Sequence, residues 1–114
     1  MGTLSTALIA KALDGLTARY EATAQNIANA NSPAYRPIRV TFEESLRRAA
    51  AEGPSAIAGV GPQIELAPRS RIATEMRLDL EIATASQTAM RYGALLSILG
   101  RQMEVARSVV SGGR

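Results

Sequence analysis

Chemistry in this chain would have to come from a short set of polar residues. Glu43-Glu44 is an adjacent carboxylate pair of the kind acid–base catalysis uses. Its setting, Thr41-Phe42-Glu43-Glu44, fits a helix capping box better: the Thr41 hydroxyl can accept from the Glu44 amide while the Glu44 carboxylate reaches back. Gly59-Val60-Gly61 has the look of a phosphate loop but runs into Pro62, not into a helix start carrying Lys or Ser. The chain has no histidine and no cysteine, so the usual zinc sites, the Ser-His and Cys-His pairs and disulfides cannot be built from it. The expectation is a protein without cofactor or metal that is not an enzyme. Its net charge of +3 comes from dispersed arginines interleaved with acids, clustered locally only at Arg36–Arg39 and Arg69–Arg71. A solvated surface or an acidic protein partner explains these as well as nucleic acid does, and no nucleic-acid partner is expected.

The polar residues with a meaningful spacing lie around a forced chain turn. Asn26-Ile27-Ala28-Asn29-Ala30-Asn31 leads into Ser32-Pro33-Ala34-Tyr35-Arg36. Pro33 disfavours helix at Ser32 and has no backbone donor, so a helix arriving from the left must stop near Asn31. Asn31 tolerates the left-handed conformation that often closes a helix.

The elements that must position this turn follow from apolar spacing. Over residues 3–31, Leu13, Tyr20 and Ile27 share one heptad position and Ile9, Leu16, Thr23 and Ala30 the other, a narrow seam on a helix about 40 Å long. Gly15 weakens that helix by roughly 1 kcal/mol relative to Ala. Residues 32–73 are punctuated by Pro and Gly. They are expected to carry a short helix over Phe42–Ala51, anchored by Phe42 and Leu46, in an otherwise irregular and mobile segment. Within it Gln63-Ile64-Glu65-Leu66 alternates as a short strand does. Residues 74–110 carry the longest periodicity: Leu78, Ile82, Ala85, Ala89, Tyr92, Leu96, Leu99, Met103, Ala106 and Val110 keep an unbroken 4-3 spacing. Thr74 reads as the N-cap, with Glu75, Asp79 and Glu81 at the positive end of the dipole. The fold class expected is all-α. The long terminal helices of one domain pack as an antiparallel, coiled-coil-like pair.

A second apolar row, Leu95, Ile98, Val105 and Val109, widens the stripe beyond what one partner helix covers. Left wet, such a row is a contiguous patch that monomers seldom show. Either the short helix and the middle segment fold over it, or other copies or other proteins do. Ala85, Ala89 and Gly93, with Gly100 one heptad on, add small residues that permit close helix approach. No stretch approaches the roughly 20 apolar residues of a membrane span, the longest near the C-terminus being Ala94–Leu99. Lys11 and Asp14 break the N-terminal apolar patch, so no cleaved signal peptide is expected. Met1-Gly2 with Thr6 matches a myristoylation pattern formally, without other support.

Asn26 to Arg36 resembles the Asn-Ile-Ala-Asn-x-x-Thr-Pro-Gly-Tyr-Lys/Arg signature of the bacterial flagellar axial proteins that form rod, hook and hook–filament junction. Tyr35 to Leu46 is similar to Gly-Tyr-Lys-x-x-x-Val-Asp-Phe-x-x-x-Leu of that family's small rod members. Met90 to Gln102 is similar to their Leu-Arg-Tyr-Gln-Ala-Leu-x-x-Leu-Leu-Ser-Arg-Gln. The likeness covers both ends and leaves out residues 53–74. Ser32, Ala34 and Gly93 depart from it, replacing Thr, Gly and Gln. A positive backbone angle at Ala34 would cost about 1 kcal/mol or more, so the turn is where a difference is expected.

The resemblance implies a structural subunit of the flagellar basal body, exported unfolded by the flagellar type III apparatus without a cleaved signal. Such a subunit polymerises into a periplasmic rod through its terminal helices. Its implied partners are other rod proteins, adjoining basal-body and export-gate components, and copies of itself. By the same likeness, Asn26, Ile27, Asn29, Pro33, Tyr35, Arg36 and Phe42 are the signature and assembly residues. Leu13, Leu16, Tyr20, Leu78, Ile82, Tyr92, Leu95, Leu96, Ile98, Leu99, Met103 and Val105 would form the helix seam and subunit packing. Another small rod protein, or a helical adaptor of a secretion system, is the alternative.

Overall fold

A computed structural model describes residues 2–68 and 73–112. The Arg69–Arg71 cluster lies outside them. In chain order the elements are α1 (Gly2–Ala28), β1 (Ile38–Thr41), α2 (Glu43–Glu52), α3 (Pro54–Ala58), β2 (Gln63–Leu66) and α4 (Thr74–Gly112). The molecule is mostly helical and elongated, 64 × 26 × 15 Å, with α4, about 58 Å at 1.5 Å per residue, running along most of its length.

The long helices pack against each other, α1 running opposite to α4. Thr6 meets Gln102 near one end (3.5 Å), and the Asn26 amide donates to the Glu81 carboxylate (3.2 Å) near the other. Next to it the Arg77 guanidinium donates to the Ala30 carbonyl (3.2 Å), satisfying an acceptor left over where α1 runs out. Both helices carry buried threonines whose hydroxyls bond within their own helix, Thr23 to the Arg19 carbonyl (2.8 Å) and Thr88 to the Thr84 carbonyl (2.7 Å). That back-bonding is what lets a hydroxyl sit in the seam.

The middle of the chain corrects the expected all-α, irregular segment. β1 and β2 form a two-stranded antiparallel sheet in the register Ile38↔Leu66, Arg39↔Glu65, Val40↔Ile64 and Thr41↔Gln63, extended by the Ala67 amide on the Pro37 carbonyl (2.8 Å). Three of the four β1 residues are β-branched, and Val40 points into the core while Ile64, its partner, is exposed. Between the strands, α2 and α3 turn about Gly53, whose φ of +115° is the left-handed region that favours glycine. Pro54 starts α3 at a position where its missing donor costs nothing. Ile57 on α3 is fully buried, so the segment earlier expected to be irregular carries one of the best-covered apolar side chains.

What fixes this layer to α1 is the one phenylalanine. The capping box expected at Thr41–Glu44 is not made: Phe42 takes the N-cap position with no side-chain cap, and α2 runs Glu43–Glu52. Thr41 stays in β1 and its side chain is exposed. Phe42 turns inward and lies on Gly15, where a Cβ would come within 2.3 Å of its ring. Around it pack Leu16, Ala22, Val40, Leu46, Ala49 and Ile57. Burial of the ring outweighs one capping hydrogen bond of roughly 1 kcal/mol. Thr74 likewise is the first residue of α4, not the cap before it; the Arg77 amide bonds the Ala73 carbonyl (3.0 Å).

The turn after α1 also departs from expectation. α1 ends at Ala28 and the chain continues through hydrogen-bonded turns, Ser32 amide to Asn29 carbonyl (3.0 Å) and Tyr35 amide to Ser32 carbonyl (3.1 Å). Among the described residues no non-glycine residue has a positive φ. Neither Asn31 nor Ala34 is left-handed, and alanine in place of glycine at 34 carries no backbone strain.

Gly15→Ala separates two effects of opposite sign. On an open helix it stabilises by about 1 kcal/mol; against the Phe42 ring it is expected to destabilise by about 1–3 kcal/mol. Gly93→Ala, where nothing lies within 4 Å, is expected to stabilise. Urea midpoints of the two variants check the contrast.

Candidate functional site

Two features stand out in the structure: a polar clasp at the turn after α1 and the outward faces of α4. The clasp is centred on Asn26, buried on α1. Its Oδ1 accepts from the Tyr35 hydroxyl (2.9 Å) and from the Ile38 amide (2.9 Å). Its Nδ2 donates to the Ile38 carbonyl (2.9 Å) and to Glu81 of α4. The amide thus pairs with both backbone groups of Ile38 as a neighbouring strand would, using all four of its hydrogen-bonding positions. One side chain thereby joins α1, the turn, β1 and α4.

The other signature residues divide. Tyr35 and Ile27 are half-buried, and Pro33 is exposed at the turn. The Asn29 amide only bonds back to the Gln25 carbonyl within its own helix end (2.9 Å). The Arg36 guanidinium donates to the Ala67 carbonyl (2.8 Å), tying the turn to the end of β2, and its Nε is buried without a partner. Burial, and secondarily the negative charge of Glu81, raise the Tyr35 phenol above its ordinary pKa, so it stays a neutral donor to Asn26 through neutral pH.

Beside the clasp, Arg19 links three elements. It forks onto both Glu43 oxygens (2.6 and 2.8 Å), donates to the Val40 carbonyl (2.8 Å) and stacks 4.9 Å from the centre of the Phe42 ring. Arg91 of α4 approaches the same carboxylate at 3.9 Å. The hydrogen bonds from Arg19 hold the Glu43 pKa below its usual value against the opposing effect of burial. Glu44 turns instead to Arg47 and Arg48 on the surface. The adjacent carboxylates therefore have separate structural partners and make no acid–base pair.

The α1 seam is split. Leu16 is 3% exposed and Leu13 half-buried, but Tyr20 is 49% exposed. On α4, Leu78, Ala85, Tyr92, Leu95 and Leu99 are half-buried, while Ile82 (52%), Leu96 (45%) and Met103 (52%) face outward. The positions beside α1 are taken by Glu81, Thr88, Leu95 and Gln102. The contact face is therefore turned by half a residue step, about 50° at 100° per residue, from the most apolar face. Of the second row, Leu95 packs on the core but Ile98, Val105 and Val109 are exposed. The middle layer reaches α4 at Arg91 and leaves the remainder of that row open.

Two grooves follow. One of about 410 Å³ runs between the long helices, lined by Leu16, Thr17, Tyr20, Glu21, Thr88, Ala89 and Tyr92. The other, about 550 Å³ and mostly apolar, lies between Ser5 and the face of Ile98, Val105 and Val109. Neither gathers groups able to activate a substrate. Among the described residues no three His, Cys, Asp or Glu side chains are grouped to hold a metal ion, and no helix is long and apolar enough to cross a membrane. The contacts made by Gly15, Arg19, Glu81 and Thr88 were not read from the sequence, although Gly15 and Glu81 were noted there in other roles. The proximity of Gly15 and Arg19, four residues apart on one helix face, was the available signal for the first two. The chain matches no protein-family model and no curated protein.

Asn26→Ala is expected to cost about 2–4 kcal/mol, because it leaves the Ile38 backbone groups without partners; chemical denaturation measures it. For Glu43, the lowered pKa means its contribution is complete above the ordinary carboxylate value of 4.5 and is lost as pH falls through the lower folded value. Glu43→Gln should flatten the acid limb of the stability curve and leave its alkaline side unchanged.

Proposed function

We propose that this protein is a structural subunit of the proximal rod of the bacterial flagellar basal body, a rod protein of the FlgB type. The single observation that carries the reading is the coincidence of the axial-protein signature with a two-helix unit whose longer helix leaves Ile82, Leu96, Met103, Ile98, Val105 and Val109 uncovered. These side chains are about half covered to two-thirds exposed, so each forgoes roughly 1–2 kcal/mol of the burial it could still gain. A subunit that completes its packing against neighbours has a use for these faces.

In this reading the terminal helices line a tube that crosses the periplasm and transmits torque. The turn held by Asn26, Tyr35 and Arg36 sets the angle at which the middle layer leaves the helix pair. Neighbouring rod proteins, the export gate and further copies would be its partners. Export would proceed through the flagellar type III apparatus without a cleaved leader. The brevity of the chain and its Tyr35–Leu46 and Met90–Gln102 segments favour the FlgB type over the FlgC type.

Imaging of basal bodies from cells lacking the protein tests the proposal. The expected result is loss of the rod and of motility, restored by the wild-type chain and not by Leu96→Glu. An intact rod in the deletion strain overturns it.

A further inference from the structure

The outward row of α4 has a charge pattern that selects a particular occupant. Along one face stand Ile82, Ala89, Leu96 and Met103, seven residues apart, the three large ones about half exposed. At the N-terminal end of this face are Glu75 and Asp79, and at its C-terminal end Arg107, all exposed and without an ion-pair partner among the described residues. The groove between Tyr20 and Ala89 opens alongside its centre.

We propose that in solution this face binds the same face of a second copy of the chain, with the two α4 helices antiparallel about a two-fold axis between Ala89 and Leu96. In that register Ile82 lies opposite the partner's Met103, and Ala89 opposite the partner's Leu96, small against large. Glu75 and Asp79 stand at the level of the partner's Arg107. A parallel pair would stack the acids on acids and Arg107 on arginine, so charge decides the direction. The two-fold makes the contact self-complementary and closed, needing no other protein. From Ile82 to Met103 the strip is about 32 Å long. A strip of that length and one side chain's width makes a small interface, of the kind that exchanges between monomer and dimer. The inference concerns the purified chain and uses the same face of α4 that the rod reading leaves for neighbours; the rod outcome of the deletion strain, which involves no substitution in this face, separates the failure of one from the failure of the other.

Sedimentation equilibrium on the full chain over about two decades of concentration, up to about 500 μM, covers the weak association a small interface allows. A monomer–dimer equilibrium that weakens with salt is expected; a monomer throughout overturns the proposal. Leu96→Glu should abolish association with helicity unchanged, and a dimer that survives it places the contact elsewhere and overturns the assignment. Direction is read by cross-linking, which the absence of native cysteine makes clean. Gly93→Cys, next to the axis and in open space, should form an intermolecular disulfide. Met103→Cys, about 32 Å along the helix from its own copy, should not. Cross-linking at both positions means a parallel pair, and failure at Gly93→Cys means a different register; either result overturns the proposal.

Discussion

The fold depends on the close approach of one aromatic ring to one helix. Phe42 can reach α1 only because residue 15 has no side chain, the space of a Cβ there being filled by the ring. Once seated, the ring fixes where α2 begins and brings Val40 of β1 against α1. It also gives Arg19 a flat surface to cover while its guanidinium grips Glu43 and the Val40 carbonyl. Sheet, α2 and α3 then share a core with α1 in which Ile57 is fully enclosed. A glycine that costs a helix stability in isolation is here the condition for attaching the whole middle layer.

Asn26 does for the turn what Phe42 does for the core. A buried primary amide has two donor and two acceptor positions, and here both strand-like backbone groups of Ile38, the Tyr35 hydroxyl and Glu81 satisfy them. Replacing the contact by apolar packing would leave β1 without its second edge. The Asn-rich approach to Pro33 is therefore more than a helix stop. Asn26 clasps three elements, whereas Asn29 merely bonds back within its own helix end.

The long elements were legible in the sequence because their apolar residues recur with helical period over many turns, and the antiparallel pairing followed from the length of the connection. Gln63–Leu66 was legible as a strand from its alternation. Its partner Ile38–Thr41 was not, because Ile38-Arg39-Val40 after Pro37, running straight into Thr-Phe-Glu-Glu, read equally as the approach to a helix. The capping box was a sound local inference overridden by the burial of Phe42, a tertiary term that four residues cannot reveal. The phase of α4 was half legible: Leu78, Ala85, Tyr92 and Leu99 lie beside α1, but the alternate positions went to Glu81, Thr88 and Gln102. Periodicity finds a stripe; it does not say which edge of a wide stripe the partner takes.

That phase has a physical cause. Were hydrophobic burial alone to set the rotation of α4, Ile82, Leu96 and Met103 would turn toward α1, each, being already half covered, worth roughly 1 kcal/mol more. Such a rotation would withdraw Glu81 from Asn26 and Arg77 from the Ala30 carbonyl, and shift Arg91 from Glu43. It would leave a buried amide and a helix-end carbonyl short of partners, and unmade buried hydrogen bonds cost about as much as made apolar contacts return. The polar contacts therefore act as a register lock: they hold α4 at an angle that a lone helix pair would not choose. Their result is that the most regular apolar row in the chain is kept on the outside. Part-buried polar contacts between the helices thus set the rotation, and the heptad row of Ile82, Leu96 and Met103 is left on the outside as a consequence.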